Sequence, residues 1–264
     1  MPELISSPSN PLIKQARALR QKKARDESGL FLVEGILHVG EAQQAGWEFD
    51  ALLYAPERLK SDFGRGLVDE CAAAGVRCQP VAEPAFQSFA EKENPQGIAA
   101  LVRQKHRDRG EFFPSNFRFG AALVSPQDPG NIGTIFRTLD AVGADGLFLL
   151  DGGADPYHPS VVRASMGTMF WKPFAQCSFD EFLDWARPGG YRLIGTSAHG
   201  TRNYRDVRLD DRPAVLVFGS EQKGLAPAQS AACDELVALP MRGRATSLNL
   251  AVAAGILLYA VRPG

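Results

Sequence analysis

One stretch near the C-terminus decides how this chain is organised: residues 239–259, which read LPMRGRATSLNLAVAAGILLY. It leads from a strand end through a loop into a helix that is apolar nearly all round, so we expect this helix to be buried in a core or in a subunit interface. Ser247 is well placed to cap the helix, which we predict over 247–261. Asn249 in the first turn is a costly polar residue there unless it has a partner.

Two further polar segments follow predicted strands. Residues 125–138 read SPQDPGNIGTIFRT, in which a tight Pro/Gly turn opens a helix and Arg137 lies one turn into it. Residues 217–225 read VFGSEQKGL, and the glycines on either side of Glu221 indicate a backbone that comes close to another group. Ligands of open α/β sheets bind at the carboxyl ends of strands, where all three segments are predicted to lie.

Strand-like and helix-like patterns alternate along the rest of the chain, which predicts an α/β fold with two domains. We divide the chain into a basic N-terminal helical arm at 1–27, a small α/β domain at 28–103, a linker at 104–118 and a larger α/β domain at 119–264. Strands are predicted at 30–33, 51–54, 76–79, 98–102, 121–124, 147–150, 191–195, 214–218 and 236–239. Helices between them are predicted at 36–45, 66–74, 84–91, 133–142, 160–166, 178–186 and 247–261. The continuous apolar strands of the larger domain favour a parallel sheet that is covered on both faces.

The N-terminal segment carries a local positive charge. Asn10 and Pro11 predict a helix start, and the following stretch contains six basic residues and no acid, namely Lys14, Arg17, Arg20, Lys22, Lys23 and Arg25. Three of them recur every third residue and would project together. One interpretation is a solvated helix face. The other is an arm that binds phosphates, with Lys14, Arg17, Arg20 and Lys23 as the contacts.

Composition excludes several classes of protein. The 264 residues include 29 basic and 30 acidic side chains, so a polyanion must be held by a local patch. The four cysteines form no C-x-x-C pair, and the four histidines (His38, His106, His158 and His199) are isolated, so we predict no metal site. Rossmann and P-loop signatures are absent. Without an export signal or an apolar run long enough for a membrane, we expect a cytoplasmic protein that binds no membrane.

In this order and spacing, the three segments resemble the motifs of the SpoU (TrmH) branch of the SPOUT RNA methyltransferases. The matches are N-x-G-x-x-x-R-T at 131–138, F-G-S-E-x-x-G-L at 218–225 and P-M-x-G-x-x-x-S-L-N at 240–249. Near the N-terminus, Asn10-Pro-Leu-Ile-Lys14 and Phe31-Leu-Val-Glu-Gly35 resemble the RNA substrate-binding domain that precedes the catalytic domain in ribosomal RNA members.

The resemblance implies a trefoil-knotted parallel sheet, a homodimer, and methyl transfer from S-adenosylmethionine to a ribose 2′-hydroxyl of RNA. The cofactor is then expected against Gly219, Leu239 and Leu248, with Thr196, Met241 and Ser247 as further contributors. Arg137 matches the arginine that is proposed to activate the hydroxyl, while Asn131, Glu221, Ser247 and Asn249 would hold the loops and the hydroxyl. Close cofactor contact would explain why Gly219 and Gly243 lack side chains.

Ribosomal (23S) RNA is the favoured substrate, and two alternatives remain. A transfer-RNA ribose methylase is disfavoured because its smallest members resemble the catalytic domain alone. A non-catalytic RNA-binding or ribosome-assembly factor is disfavoured because all three motifs are intact. Titration with S-adenosylmethionine separates this last alternative from an enzyme.

Overall fold

The computed structural model describes residues 2–198 and 200–261, and its contacts divide the chain into two units. The first unit comprises Met1–Lys105 and Tyr157–Phe170, and the second comprises His106–Pro156 and Trp171–Gly264. His199, one of the four isolated histidines, lies outside the described residues.

Strands and helices alternate along both units. The strands are β1 (Leu30–Glu34), β2 (Phe49–Tyr54), β3 (Cys78–Pro80), β4 (Ile98–Arg103), β5 (Phe119–Val124), β6 (Gly146–Leu150), β7 (Phe174–Cys177), β8 (Arg192–Thr196), β9 (Arg202–Asn203), β10 (Ala214–Phe218) and β11 (Glu235–Ala238). The α-helices are α1 (Pro11–Ala18), α2 (Lys22–Ser28), α3 (Ile36–Gln44), α4 (Asp62–Ala73), α5 (Glu83–Gln87), α6 (Pro129–Ala141), α7 (Pro159–Ser165), α8 (Phe179–Ala186), α9 (Pro227–Ala232) and α10 (Leu250–Val261). Short 3-10 helices lie at Arg109–Glu111, Thr168–Phe170 and Tyr204–Asp206.

The first unit is built on a four-stranded sheet in the order β1-β4-β2-β3. Strand β4 is antiparallel to both β1 and β2, and β3 is parallel to β2. The predicted N-terminal arm is two helices, and the apolar side of the first packs into the core of this unit beside Phe86 and Phe89. Asn10 caps α1, since its side chain accepts a hydrogen bond of 2.9 Å from the backbone N–H of Leu12.

Three of the six N-terminal basic side chains donate hydrogen bonds to backbone carbonyl oxygens of the first unit, and a fourth, Lys22, donates to Asp26 at 2.6 Å. Arg17 donates to the carbonyl oxygen of Ser88 at 3.1 Å, and Arg20 donates to that of Phe89 at 2.9 Å. Arg25 is 1% exposed and donates to the carbonyl oxygen of Leu19. Helix α1 ends at Ala18, but Arg17 and Arg20 still project to one place, the backbone of residues 88–90. Their predicted role as phosphate contacts stays a prediction. Lys14 and Lys23 are exposed.

A seven-stranded parallel sheet in the order β7-β6-β5-β10-β8-β11-β9 forms the second unit. The predicted α/β class with a parallel sheet is thereby confirmed. Two of its strands, β7 and β9, were not predicted, because each is short and carries polar residues that weaken the apolar signal. The trefoil knot stays a prediction.

The segment predicted as a linker at 104–118 is only in part a connection. Phe112 and Phe117 are buried in the core of the second unit, and their rings make an edge-to-face contact with 5.4 Å between centroids. A segment without regular periodicity can thus bury single aromatic anchors, which a search for periodicity misses.

The chain also returns to the first unit between β6 and β7. In that return, the ring of Tyr157 lies 4.9 Å from that of Phe31, and the indole N–H of Trp47 donates to the carbonyl oxygen of Phe170 at 2.9 Å. The sequence-based division of the chain does not include this return, because the composition of residues 157–170 does not differ from that of the neighbouring segments.

Candidate active site

The strand order brings the three motifs together. Strands β5, β10, β8 and β11 are consecutive neighbours and run parallel, so their carboxyl ends lie in a row along one edge of the sheet. The first motif follows β5, the second follows β10 and the third follows β11. The first motif therefore meets the other two, which lie about 80 and 100 residues further along the chain, at one edge of the sheet, as predicted from the strand ends.

A cavity of about 430 Å³ lies at this edge. All six residues that the resemblance implies as cofactor contacts line it, namely Thr196, Gly219, Leu239, Met241, Ser247 and Leu248. Glu221, expected together with Ser247 to hold the loops or the hydroxyl, lines it as well. Sequence reasoning missed Ser197 and Ala198, which follow β8 outside the three motifs, and Gln222 and Lys223, which lie at the unspecified positions of the second motif.

Gly219 allows the second loop to fold back on itself. Ser220 and Gly224 exchange two backbone hydrogen bonds, of 3.2 and 2.9 Å, and a Cβ at Gly219 would overlap the backbone of Gly224 and Leu225. Gly219 therefore has no room for a side chain, but the obstacle is the backbone of its own loop, and the expected contact with the cofactor stays a prediction. The expectation that Gly243 excludes a side chain is not supported by the described part of the chain, because a Cβ there would have no neighbour within 4 Å.

A hydrogen-bonded chain of three side chains links the three motifs. The Asn131 Nδ2 donates to Glu221 Oε1 at 3.1 Å, and Asn249 Nδ2 donates to Asn131 Oδ1 at 2.9 Å. Glu221 also accepts from the backbone N–H of Gln127 at 3.0 Å. Asn131 is buried, so each of its contacts is stronger than it would be in water. Its amide fixes the relative position of the other two loops.

The surroundings of Glu221 favour its charged form. Burial acts to raise the pKa of this carboxyl, but hydrogen bonds from its own backbone, from Asn131 and from the backbone N–H groups of Gln127 and Asp128 outweigh burial and lower the pKa. Glu221 is therefore a carboxylate at neutral pH. It acts as a hydrogen-bond acceptor that holds two loops and has no proton to donate.

Asn249, and not Ser247, begins the last helix. The Asn249 Oδ1 accepts hydrogen bonds of 2.9 and 3.2 Å from the backbone N–H groups of Ala251 and Val252, and the helix starts at Leu250. The prediction that Ser247 caps this helix is wrong, because the loop continues through the S-L-N segment before the backbone becomes helical. The predicted need of Asn249 for a partner is met twice, by the helix N-terminus and by Asn131.

The two roles of Asn249 can be separated by substitution. We expect Asn249→Ala to lower the free energy of unfolding by about 1–2 kcal/mol, because it removes the cap and leaves Asn131 Oδ1 without its donor. Asn249→Asp keeps the capping oxygen but removes the donor, so it should retain most of the stability and still weaken the alignment of the loops. Thermal melts measure how much the cap contributes to stability, and titration with S-adenosylmethionine measures how the alignment of the loops affects cofactor affinity. Equal stability loss in both variants would contradict this division.

Arg137 lies outside the cavity of its own chain. It is exposed on α6, and it is not among the described residues that line the cavity. Within residues 2–198 and 200–261, its side chain forms no hydrogen bond or ion pair. The structure therefore brings Asn131, Glu221, Ser247 and Asn249 to the site but leaves Arg137 on the surface.

The last helix has one exposed apolar face. Val252 is 51% exposed, Ile256 37% and Tyr259 62%, and the three follow one another at helical spacing. The opposite side is buried and packs against α6 and the cavity. The predicted apolar helix is confirmed, and part of it faces away from the core of this chain.

The sequence predicts neither a metal site nor a segment that crosses a membrane. In the ranges that the structure describes, no group of three or more potential metal ligands comes together. Over the same ranges, no helix is both long and apolar enough to cross a membrane.

Together, the fold and the site define a protein with a parallel α/β sheet whose carboxyl-edge loops enclose a cavity large enough for a small organic cofactor. The chain belongs to the SpoU rRNA Methylase family, whose model matches residues 119–259. A second family model, the MRM3-like substrate binding domain, matches residues 10–100. The family inferred from the three motifs and from the N-terminal segments is thus confirmed.

Named relatives span nearly the whole chain. The 23S rRNA (guanosine(2553)-2'-O)-methyltransferase RlmP of Bacillus subtilis is 31% identical over 98% of both chains. The 23S rRNA (uridine(2479)-2'-O)-methyltransferase of Streptomyces viridochromogenes is 34% identical over 91% of this chain and 85% of that protein. A crystal structure of AdoMet-bound rRNA methyltransferase from Sinorhizobium meliloti superposes with a TM-score of 0.90, at 34% identity, and covers 98% of this chain and 96% of that one.

Proposed function

We propose that this protein transfers a methyl group from S-adenosylmethionine to a ribose 2′-hydroxyl of 23S ribosomal RNA. The observation that carries the proposal is the convergence of the three motif loops on one cavity, where Asn131 joins the other two loops. The similarity of the whole chain to 23S rRNA 2'-O-methyltransferases supports the choice of substrate.

The residues around the cavity fit such a cofactor. Leu239, Leu248 and Leu257 supply apolar surface, whereas Thr196 and Ser247 supply hydroxyl groups for polar parts of a ligand. Gly219 contributes backbone without a side chain at the place where a Cβ would collide with the loop. A pocket of this volume, with apolar walls and polar groups that can fix the orientation of a ligand, is typical of small-molecule sites. We propose Thr196, Gly219, Leu239, Met241 and Leu248 as the cofactor contacts.

The bound cofactor supplies an activated methyl group, and the protein has to align the acceptor hydroxyl with it. Alignment alone can lower the activation free energy by several kcal/mol. Glu221, Asn131 and Asn249 serve this end by fixing the loops that shape the cavity. A guanidinium stays protonated at any physiological pH, so Arg137 is unsuited to be the general base. We propose that Arg137 orients the ribose and an adjacent phosphate, and that the proton leaves to phosphate or water.

We further propose that the protein is a homodimer. The exposed apolar face of α10 supports this, because Val252, Ile256 and Tyr259 lie next to one another on a helix whose other side bounds the cavity. The position of Arg137 also supports it: the cavity of one protomer is completed if the partner supplies this side chain.

We propose the cytoplasm as the location of the protein. Burial raises the pKa of the Cys177 and Cys233 thiols to about 11, so these thiols stay protonated and unreactive at neutral pH.

The proposed activity is tested by incubating the purified protein with labelled S-adenosylmethionine and an unmodified 23S rRNA transcript. We expect one 2′-O-methylated nucleoside after digestion, detected by mass spectrometry, and no transfer to a transfer-RNA pool. Methylation of a base instead of a ribose, or cofactor binding without transfer to any RNA, would contradict the proposal. Absence of cofactor binding would favour a non-catalytic factor with this fold.

A further inference from the structure

Three cations near the cavity are not accounted for by the motifs. Lys223 lines the cavity in the second loop, and Arg242 and Arg244 are exposed in the third loop. Within residues 2–198 and 200–261, none of the three side chains forms a hydrogen bond or an ion pair. Residues on either side of the two arginines, Met241 and Thr246, also line the cavity, so the arginines belong to its rim.

The two loops that carry these cations, 219–225 and 239–249, contain a single acidic residue. The sequence has no acidic residue between positions 236 and 261. The acidic residue in the second loop is Glu221, whose carboxylate already accepts hydrogen bonds from Asn131 and from the backbone of Gln127. The rim therefore carries positive charge that its own loops leave unpaired, which is an arrangement that attracts an anionic ligand.

The N-terminal basic residues other than the exposed Lys14 differ in this respect. The guanidinium groups of Arg17, Arg20 and Arg25 donate to backbone carbonyl oxygens and serve to hold the first unit together. Lys23 lies 3.8 Å from Glu27 in an ion pair. The chain has a formal net charge of -1, so binding of a polyanion depends on local groups of cations, of which this rim lies beside the cavity.

We infer that Lys223, Arg242 and Arg244 bind backbone phosphates of the RNA on either side of the ribose that is methylated. The inference rests on the proposed function and adds the contacts that hold the substrate at the cavity. Every internal ribose of RNA lies between two phosphates, so a 2′-hydroxyl at the cavity brings phosphates to its rim. Arginine suits this task, because its planar group can donate two parallel hydrogen bonds to one phosphate.

Salt-dependent RNA binding tests the inference. The double variant Arg242→Ala/Arg244→Ala is compared with Arg205→Ala/Arg212→Ala, which removes the same charge from exposed arginines of the same unit that are not flanked by residues of the cavity lining. Affinity for the 23S rRNA transcript is measured over a range of salt concentrations. Log affinity falls as log salt concentration rises, and the loss of two phosphate contacts should make this fall less steep by roughly 1.5. Binding should weaken about 25-fold near 0.1 M salt. Adding Lys223→Ala should weaken binding about 5-fold more.

Further measurements separate charge from structure. Arg242→Lys/Arg244→Lys keeps both charges, so it should recover most of the salt dependence while losing some affinity. Titration with S-adenosylmethionine should give wild-type affinity for the double alanine variant. The inference is wrong if the salt dependence of the double alanine variant equals that of the control. It is also wrong if cofactor affinity falls while RNA affinity is unchanged, because the arginines would then support the cofactor or the loop. Failure of the proposed function would appear separately, as absence of methyl transfer by the wild-type protein.

Discussion

Gly219→Ala should abolish cofactor binding. A Cβ at this position would overlap backbone atoms of Gly224 and Leu225, and backbone cannot rotate away as a flexible side chain can. The hydrogen bonds between Ser220 and Gly224 would have to break for the loop to open. We expect a stability loss of about 3 kcal/mol, at the upper end for overpacking, and an affinity for S-adenosylmethionine at least about 100-fold weaker. Isothermal titration and thermal melts measure the two effects.

Gly243→Ala is the matched control for this prediction. It adds the same methyl group to another loop at the cavity, where a Cβ would have no neighbour within 4 Å among the described residues. We expect a change within about 0.5 kcal/mol in stability and little change in cofactor affinity. If the two alanine variants have the same stability and the same cofactor affinity, the close approach of backbone at Gly219 does not determine cofactor binding.

Arg137→Ala should remove most of the turnover and leave cofactor affinity unchanged. The side chain is exposed and does not belong to the described lining of the cavity, so its loss should not disturb the bound cofactor. Loss of ribose alignment should lower kcat by about 100-fold or more. Arg137→Lys should recover little, because lysine keeps the charge but loses the planar pair of donors. A lysine variant with near-normal turnover would contradict the orienting role.

Mixed dimers test where Arg137 acts. Each variant is inactive alone, but a dimer of an Arg137→Ala protomer and a Gly219→Ala protomer contains one intact cavity opposite one intact arginine. If the partner subunit supplies the arginine, random mixing should restore about a quarter of the wild-type turnover. If the arginine serves its own protomer, the mixture stays inactive. A monomeric protein in solution would also end the proposal that two copies form the site.

Much of the site was predictable because its signals are local. Turn residues after apolar strands marked the three loops, and parallel strands place such loops at a common edge. The cap at Asn10 and the apolar last helix follow from patterns within a few residues. The start of that helix was misplaced by three residues, since both Ser247 and Asn249 are good capping residues and only the backbone path distinguishes them.

Other features depend on partners that are distant in sequence. The positively charged N-terminus looked like a free phosphate-binding face, but Arg17 and Arg20 find carbonyl oxygens some 70 residues further along. Phe112 and Phe117 looked like part of a linker, yet they fill the core of the second unit. A pattern within one segment carries no information about which groups another segment will present to it.

Apolar periodicity was sufficient for the α/β class, and the three motifs were sufficient for the family, whose resemblance implied part of the cavity lining. The folded chain was needed to show that Asn131 joins Glu221 to Asn249, that Gly243 has room for a side chain, and that Arg137 stands apart from its own cavity. The physical reason is that strand and helix formation respond to near neighbours along the chain. Hydrogen-bond partners and steric room depend instead on the order of strands in the sheet, which brings together residues that are far apart in sequence.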